Sequence, residues 1–449
     1  MERITTKISA LPSDGTYFSL EFFPPKTSIG MHNLRERLAR MALALRPMFV
    51  TVTWGAGGST AAKSLELAEM CQRELGLTTC LHLTCTNMSR KLVDETLEKA
   101  KGLGIRNILA LRGDEPRGEY RDKLEEQKRA SGEEEPEFVW AIDLVRYIRR
   151  KYGDYFCLGV AAYPEGHADG SHPKDQSLEH DLPYLVEKVQ AGADFLMTQL
   201  FYDADAYDSF ESRLRSHSSG AFATIPIIPG LMPIQSYQIL KRTTKLSNAK
   251  LPKDIEQRLD AVKNDDDMVK KVGVEVISEI VERIKTIKER SKGPKGFHFY
   301  TLNLEKSVAF ILQKTHLLPE FTPSPSSSAI SEDLEGSLPQ VLVNGQRETR
   351  RQSPIGSDPH NNVIVDHSLN RTVEATGAEA ALPAEQPNTR ANTLAISEGE
   401  GALGREATWD EYEPLSSPEL TPMKISHRRE LLKEESFPPS SPSEHRLFQ

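Results

Sequence analysis

The chain has 449 residues, of which 38% are hydrophobic and 27% charged, and a formal net charge of −9 at pH 7. That length allows two or three average domains, or one barrel with an appendage, and the acidity argues against a nucleic-acid partner, which wants a basic face. The four cysteines, Cys71, Cys80, Cys85 and Cys157, form no C-x-x-C pair, which speaks against a disulfide framework or a structural zinc and for a reducing compartment.

The first 17 residues are polar and lack the apolar centre of a secretory signal,. No apolar run approaches the roughly 20 residues of a membrane span. The expectation is a cytosolic protein with no membrane partner.

In chain order, short and nearly continuous apolar runs predict strands over 17–23, 49–54, 79–85, 107–112, 156–162, 195–200, 225–229 and 297–302. Runs of that kind are expected of parallel strands covered on both faces. Between them, helical periodicity marks 34–45, 64–75, 92–103, 139–152 and 182–191. A further helix is predicted over 272–287, where Val272, Val276, Ile280, Ile284 and Ile287 share one face,. Eight strands, each followed by a helix, predict an α/β (β/α)8 TIM barrel over 1–317. The rival is a doubly wound open sheet. It requires a glycine fingerprint after the first strand, where this chain has Glu21-Phe22-Phe23-Pro24-Pro25,.

Beyond about Thr315 the composition changes. Pro323-Ser324-Pro325-Ser326-Ser327-Ser328 opens a stretch rich in Ser, Pro, Glu, Asn and Thr. Such a segment buries too little apolar surface to offset a backbone entropy cost of roughly 1–2 kcal/mol per residue. Residues 318–449 are therefore read as a disordered tail, in which Gln340-Val341-Leu342-Val343 is too short to fold alone. Thr322, Ser324, Ser353, Ser417, Thr421 and Ser441 each precede a proline. They are candidate phosphorylation sites, with an unmodified linker as the alternative.

Catalytic groups of a barrel collect at the C-terminal ends of its strands. The first such end carries Glu21 between Leu20 and Phe22. A carboxylate is costly to bury there unless its pKa rises or it is paired. It reads either as a general acid held protonated near neutral pH or as a strand-end residue facing solvent. The second end carries Thr53-Trp54-Gly55-Ala56-Gly57-Gly58, which allows close backbone approach to a planar ligand or phosphate but is no Walker loop. His82 lies in the third strand, where a satisfied core histidine is the plainer reading. Later ends carry Leu111-Arg112-Gly113-Asp114, Tyr163-Pro164-Glu165-Gly166-His167, Thr198-Gln199 and His298-Phe299-Tyr300. So many polar ends predict a large, polar-edged ligand site, and none has metal-ligand spacing.

Four segments in this order resemble methylenetetrahydrofolate reductase, and the likeness runs through most of 17–315. They are Ser19-Leu20-Glu21-Phe22-Phe23-Pro24-Pro25, Ala110-Leu111-Arg112-Gly113-Asp114, Ala193-Asp194-Phe195 with Thr198-Gln199, and His298-Phe299-Tyr300-Thr301-Leu302-Asn303. The resemblance implies a barrel that binds FAD without a Rossmann domain and reduces 5,10-methylenetetrahydrofolate to 5-methyltetrahydrofolate. NADPH or NADH would reduce the flavin first, in ping-pong order. Carried over, Glu21 would protonate N10 of the folate and open its ring to a 5-iminium cation, which takes a hydride from the flavin. Asp114 would lie near the flavin pyrimidine and the pterin, Gln199 between pterin and nicotinamide, and Tyr300 in the segment closing over the substrate. Thr53, Trp54, Ala56, His82, Arg112, Gly113, Asp114, Ala141, Tyr163, His167, Asp181 and Lys188 match positions that line FAD, with Lys188 a phosphate contact.

The chain departs from that pattern at Leu304, where many members have a substrate-contacting arginine, and at Tyr184 and Glu187. Eukaryotic members usually continue into a regulatory domain that binds S-adenosylmethionine. Here Ala407-Thr408-Trp409-Asp410-Glu411-Tyr412 resembles the approach to that domain and then gives way to Pro/Ser-rich sequence, so no feedback by S-adenosylmethionine is expected. Homo-oligomerisation is left open. Two alternatives stay beside the reductase: a non-catalytic paralogue acting as partner or regulator of a full-length enzyme, and a different flavin barrel of the proline dehydrogenase kind.

Overall fold

The computed structural model describes residues 2–55, 58–86, 88–113, 138–167, 176–318, 341–343 and 346–348. Nine strand segments form one parallel sheet. They are β1 (Thr16–Phe22), β2 (Phe49–Val52), β3 (Thr79–Thr84), β4 (Asn107–Leu111), β5 (Cys157–Ala162), β6 (Phe195–Thr198), β7 (Ile227–Ile228), β8 (Gly230–Leu231) and β9 (Lys295–Tyr300). Their order is β7-β6-β5-β4-β3-β2-β1-β9-β8.

The nine segments fill eight barrel positions. β7 pairs with β6 and β8 pairs with β9, and only Pro229 separates β7 from β8. Proline has no N–H to donate, so the ladder breaks there, while its carbonyl still accepts from His298 N at 2.8 Å. One bent strand thus joins both ends of the sheet and closes a TIM barrel, as the strand count predicts. The seventh strand differs from its predicted 225–229. Pro226 and Pro229 delay and interrupt it, and it ends at Leu231.

The strands alternate with helices Ser28–Leu45, Ala61–Glu69, Arg90–Gly102, Ala141–Tyr152, Leu178–Gln190, Ala204–Arg215 and Asp266–Lys288. Most begin earlier than the apolar periodicity predicts, because capping side chains set their starts. Thr27 accepts from Gly30 N, Ser89 from Leu92 N, Ser177 from His180 N, and Asp265 from Asp267 N and Met268 N. Each cap satisfies an amide that the first helical turn leaves without a partner. Helices Ile4–Ser9, Ala204–Arg215, Tyr237–Ser247, Lys253–Asp260 and Lys306–Lys314 add to those predicted from sequence.

Two apolar layers hold the barrel. The larger lies between strands and helices, and the smaller fills the barrel floor with Tyr17, Phe49, Leu109, Phe195 and Ile228. Ile4 and Ile8 of the first helix join that floor, and Ile4 N donates to Asn107 Oδ1 at 2.7 Å. Gly159 makes room for one floor ring, since a Cβ there would lie 2.3 Å from Phe195 Cζ. Burying each large side chain contributes about 1.5–3 kcal/mol.

A polar knot fastens two outer helices beneath β7. Lys288 Nζ donates to the Ile227 carbonyl at 2.9 Å and lies 3.4 Å from Glu211 Oε2. Tyr207 and Ser291 donate to the same carboxylate at 2.7 and 2.9 Å.

Among the described residues no helix is long and apolar enough to cross a membrane, and no cluster of His, Cys, Asp and Glu is arranged to hold a metal ion. Cys71, Cys80, Cys85 and Cys157 are buried thiols. From the tail, Val341–Val343 pairs antiparallel with Gln346–Glu348. The rest of 319–449, including the candidate phosphorylation sites, lies outside the described residues.

Candidate active site

A cavity of ≈ 860 Å³ opens at the C-terminal ends of the strands. Parallel strands bring their last inward residues to this rim. Glu21 comes from β1, His82 and Thr84 from β3, Met197 from β6 and Tyr300 from β9, with Thr53 and Trp54 just past β2 and Arg112 and Gly113 just past β4. Ala141, Tyr163, His167, Asp181, Lys188 and Gln199 also line it. Every predicted site residue that is described therefore faces this one cavity. Ala56 and Asp114 lie outside the described residues.

Glu21 is the carboxylate at the inner end. Its side chain is 16% exposed, and its Oε2 lies 3.5 Å from His82 Nε2 and 3.6 Å from His298 Nε2. Burial pushes the carboxyl up, but contact with His298 and the charge of His82, with a smaller part from Thr51, outweigh it and hold the group below the usual carboxylate range,. The expectation of a carboxyl protonated near neutral pH is corrected here. The sequence does not show that two imidazoles converge on it from strands far apart in the chain. Burial pushes His82 down to about 4 against the pull of Glu21, so this imidazole is neutral at neutral pH. His82, read from sequence as a plain core histidine, is buried and lines the cavity.

The outer end is cationic and aromatic. Arg112 stacks on the Trp140 ring with its guanidinium carbon 4.6 Å from the centroid,. Lys188 Nζ lies 6.0 Å from the Tyr163 ring centroid, and His167 meets the edge of the same ring region at 4.4 Å between centroids. Burial lowers the Lys188 pKa and raises that of Asp181, and each opposes the other's shift by its charge. Arg146 and His180 add to this rim.

The residues present suit a large planar group with polar edges and an anionic tail. Trp54 Nε1, Thr84 Oγ1 and His82 Nε2 are buried with no hydrogen-bond partner among the described residues, and such groups are costly unless a ligand meets them. Leu109, Ala161 and Met197 give an apolar floor between them. Gly113 has φ +84°, and a Cβ there would meet Thr84 Cβ at 2.6 Å, so the backbone after β4 packs against β3 as only glycine permits.

Sequence reasoning missed Thr84, Trp140, Asp143, Arg146, His180 and Met197. The start of helix Ala141–Tyr152 carried a usable signal, because Asp143 accepts from Val139 N and Trp140 N at 3.1 and 2.8 Å, a carboxylate in a first turn. Tyr184 and Glu187, noted as departures, also line the cavity, whereas Leu304 is 3% exposed and faces the core.

The family profile of methylenetetrahydrofolate reductase matches residues 6–316. The chain is 44% identical over 424 residues to methylenetetrahydrofolate reductase 2 of Schizosaccharomyces pombe, an alignment covering 91% of this chain and 62% of that protein. It is 32% identical over 285 residues to the 5,10-methylenetetrahydrofolate reductase of Buchnera aphidicola, covering 64% of this chain and 87% of that one. The chain thus spans less than two thirds of the yeast relative and most of the bacterial one. Among solved structures, an uncharacterized protein from Clostridium thermocellum, described as binding two copies of 5-methyl-5,6,7,8-tetrahydrofolic acid, aligns with a TM-score of 0.50 and 15% identity. That alignment covers 70% of this chain and 100% of the other, a likeness of fold alone.

Proposed function

The chain belongs to the methylenetetrahydrofolate reductase family, and on that premise we propose that it reduces 5,10-methylenetetrahydrofolate to 5-methyltetrahydrofolate, using FAD and either NADPH or NADH. The observation that carries this reading is Glu21, a buried carboxylate between two imidazoles at the inner end of a cavity whose outer end is cationic. The bacterial relative supports it too, since a chain little longer than this barrel bears the reductase name.

FAD supplies, when bound, a carrier that accepts a hydride from one substrate and passes it to the next. The chain's own residues do the rest. Trp54, His82 and Thr84 offer their unmet polar atoms to the edges of the flavin. Thr53, Arg112, Gly113, Ala141, Tyr163, His167 and Asp181 shape its bed, with Ala56 beside them in the chain, and Lys188 with Arg146 meets the diphosphate. Gln199 and Tyr300 hold the pterin or the nicotinamide in turn. Asp114, next after Gly113, is assigned to the cationic intermediate, which a nearby negative charge stabilises.

Glu21 donates the proton to N10 of the folate. In the open cavity the carboxyl is ionised, so folate must shift it. A pterin laid over the cavity removes water, strengthens the burial that already pushes the carboxyl up, and favours its protonated form,. The test is steady-state turnover of FAD-loaded protein with either nucleotide. Nucleotide oxidation that requires methylenetetrahydrofolate and yields 5-methyltetrahydrofolate supports the reading; FAD-loaded protein that makes no such product refutes it.

A further inference from the structure

β1 and β9 run in register as far as Glu21 and Tyr300, and beyond that point side chains tie the two ends together. Thr301 Oγ1 donates to the Glu21 carbonyl at 2.6 Å. Asn303 Nδ2 donates to the Phe23 carbonyl at 2.9 Å, and Asn303 Oδ1 accepts from Phe23 N at 3.0 Å. The carboxamide thus pairs with both backbone groups of Phe23, as a residue of a neighbouring strand would. Thr301 and Asn303 are buried. Asn303 N donates back to Thr301 Oγ1 at 3.0 Å, and Arg37 of helix Ser28–Leu45 donates to the Asn303 carbonyl at 2.8 Å.

We propose that, on the reductase reading, Asn303 is the positioning residue of Glu21: its two bonds to Phe23 fix where the acid stands at the inner end of the cavity. The backbone around it carries the mark of such a role. Leu302 and Asn303 have φ of +53° and +60°. Two successive left-handed residues with side chains are costly, leucine more so than asparagine. Such conformations persist where the surroundings hold them, and they cluster at functional sites. Here they turn the chain after β9 so that the Asn303 carboxamide meets Phe23.

The Glu21 carboxylate needs this support. His82 Nε2 and His298 Nε2 stand 3.5 and 3.6 Å from its Oε2, too far to fix it by close hydrogen bonds. Thr51, its register partner on β2, has an Oγ1 with no hydrogen-bond partner among the described residues. The place of the acid is therefore set by the β1 backbone. Thr53 N holds that backbone on one side, donating to the Phe22 carbonyl at 3.0 Å, and Asn303 holds it on the other. Tyr300 has an anchor of its own, its hydroxyl on the Thr198 carbonyl at 2.6 Å. Loss of the Asn303 carboxamide thus falls on the acid and on the half-reaction that uses it.

Single-turnover kinetics of FAD-loaded protein test this. Asn303→Gly removes the carboxamide and suits the left-handed φ. It should leave flavin reduction by NADPH or NADH within about twofold of wild type and slow reoxidation by saturating methylenetetrahydrofolate about 10–100-fold, the scale of a misplaced catalytic group. In a Glu21→Gln background the same substitution should slow reoxidation by less than about twofold more, because it acts through the acid. Thr301→Val, the second variant should Asn303→Gly fail to fold, should show the same pattern on a smaller scale. Equal slowing of both half-reactions, undiminished slowing in the Glu21→Gln background, or reoxidation unaltered in both variants overturns the proposal. Wild-type protein that never reduces folate would refute the reductase reading instead. The crystal structure of Asn303→Gly would then decide: a Glu21 carboxylate displaced from its place between His82 and His298 is expected, and one left in place overturns the proposal.

Discussion

The hydroxyl of Tyr300 reaches across the barrel mouth to the carbonyl of Thr198, a bond of 2.6 Å from β9 to β6 that passes over the break at Pro229. Gly230 makes the crossing possible. Its N–H donates to Thr198 Oγ1 at 2.9 Å, and a Cβ there would lie 2.4 Å from the Thr198 carbonyl oxygen and 2.6 Å from Tyr300 Cε2. Barrel closure and placement of the proposed substrate-facing tyrosine therefore depend on one missing side chain.

Gly230→Ala should accordingly harm both. Overpacking at a closed site costs about 1–3 kcal/mol, so the thermal midpoint should fall by several degrees in calorimetry, and the KM for methylenetetrahydrofolate should rise. Tyr300→Phe, which loses the bond without adding bulk, should raise the KM with a smaller loss of stability. Equal stability of Gly230→Ala and wild type would show that the mouth repacks freely.

Glu21→Gln should leave reduction of the flavin by NADPH or NADH at its wild-type rate and slow reduction of folate by about 10²–10⁴-fold, the range of a lost general acid. Stopped-flow measurement of the two half-reactions separates these effects. Loss of both half-reactions would mean that Glu21 holds the site together rather than donating a proton.

Lys188→Met should weaken FAD binding by about 10–100-fold, since a hydrogen bond to a charged group contributes about 1.5–3 kcal/mol. Quenching of flavin fluorescence on titration reads this directly. Unchanged affinity would remove Lys188 from the phosphate contact and leave Arg146, on the same rim, to be tested in its place.

The knot beneath β7 gives a prediction in pH. Burial pushes the Glu211 carboxyl up, but the charge of Lys288, the Tyr207 hydroxyl, Arg215 and Ser291 together hold it below its ordinary value. A carboxyl with a lowered folded-state pKa contributes stability that is present above its unfolded pKa and is lost as pH falls through the folded one. Denaturant unfolding should therefore show stability falling with acid below the ordinary carboxylate range, and Glu211→Gln should flatten that slope. Lys288→Met, which leaves the carboxylate buried without its cation, should cost about 3–5 kcal/mol near neutral pH. An acid slope identical in Glu211→Gln and wild type would contradict this.

Much of this was legible in the sequence where one residue type permits one reading. The continuous apolar runs gave away the parallel strands, and the polar residues at their ends marked the rim that Glu21, Arg112 and Tyr300 share. What was not legible depended on distance in the chain. His298 is 277 positions from Glu21 by number (298 − 21), yet reaches its carboxylate, and nothing local announces that meeting or the downward shift it causes. The split seventh strand was hidden because Pro229 reads as a strand end, whereas it interrupts a strand that resumes at Gly230. Trp140 and Arg146 were missed because they belong to a helix and its N-cap, not to the end of a strand.

Anaerobic spectroscopy of the FAD-loaded protein decides whether the barrel is a flavin reductase with Glu21 as its acid. NADPH or NADH should bleach the oxidised flavin and methylenetetrahydrofolate should then restore its colour in wild type, whereas in Glu21→Gln bleaching should persist and the colour should not return. A protein that takes up no FAD, or whose bleached flavin stays bleached when wild type meets methylenetetrahydrofolate, would contradict it.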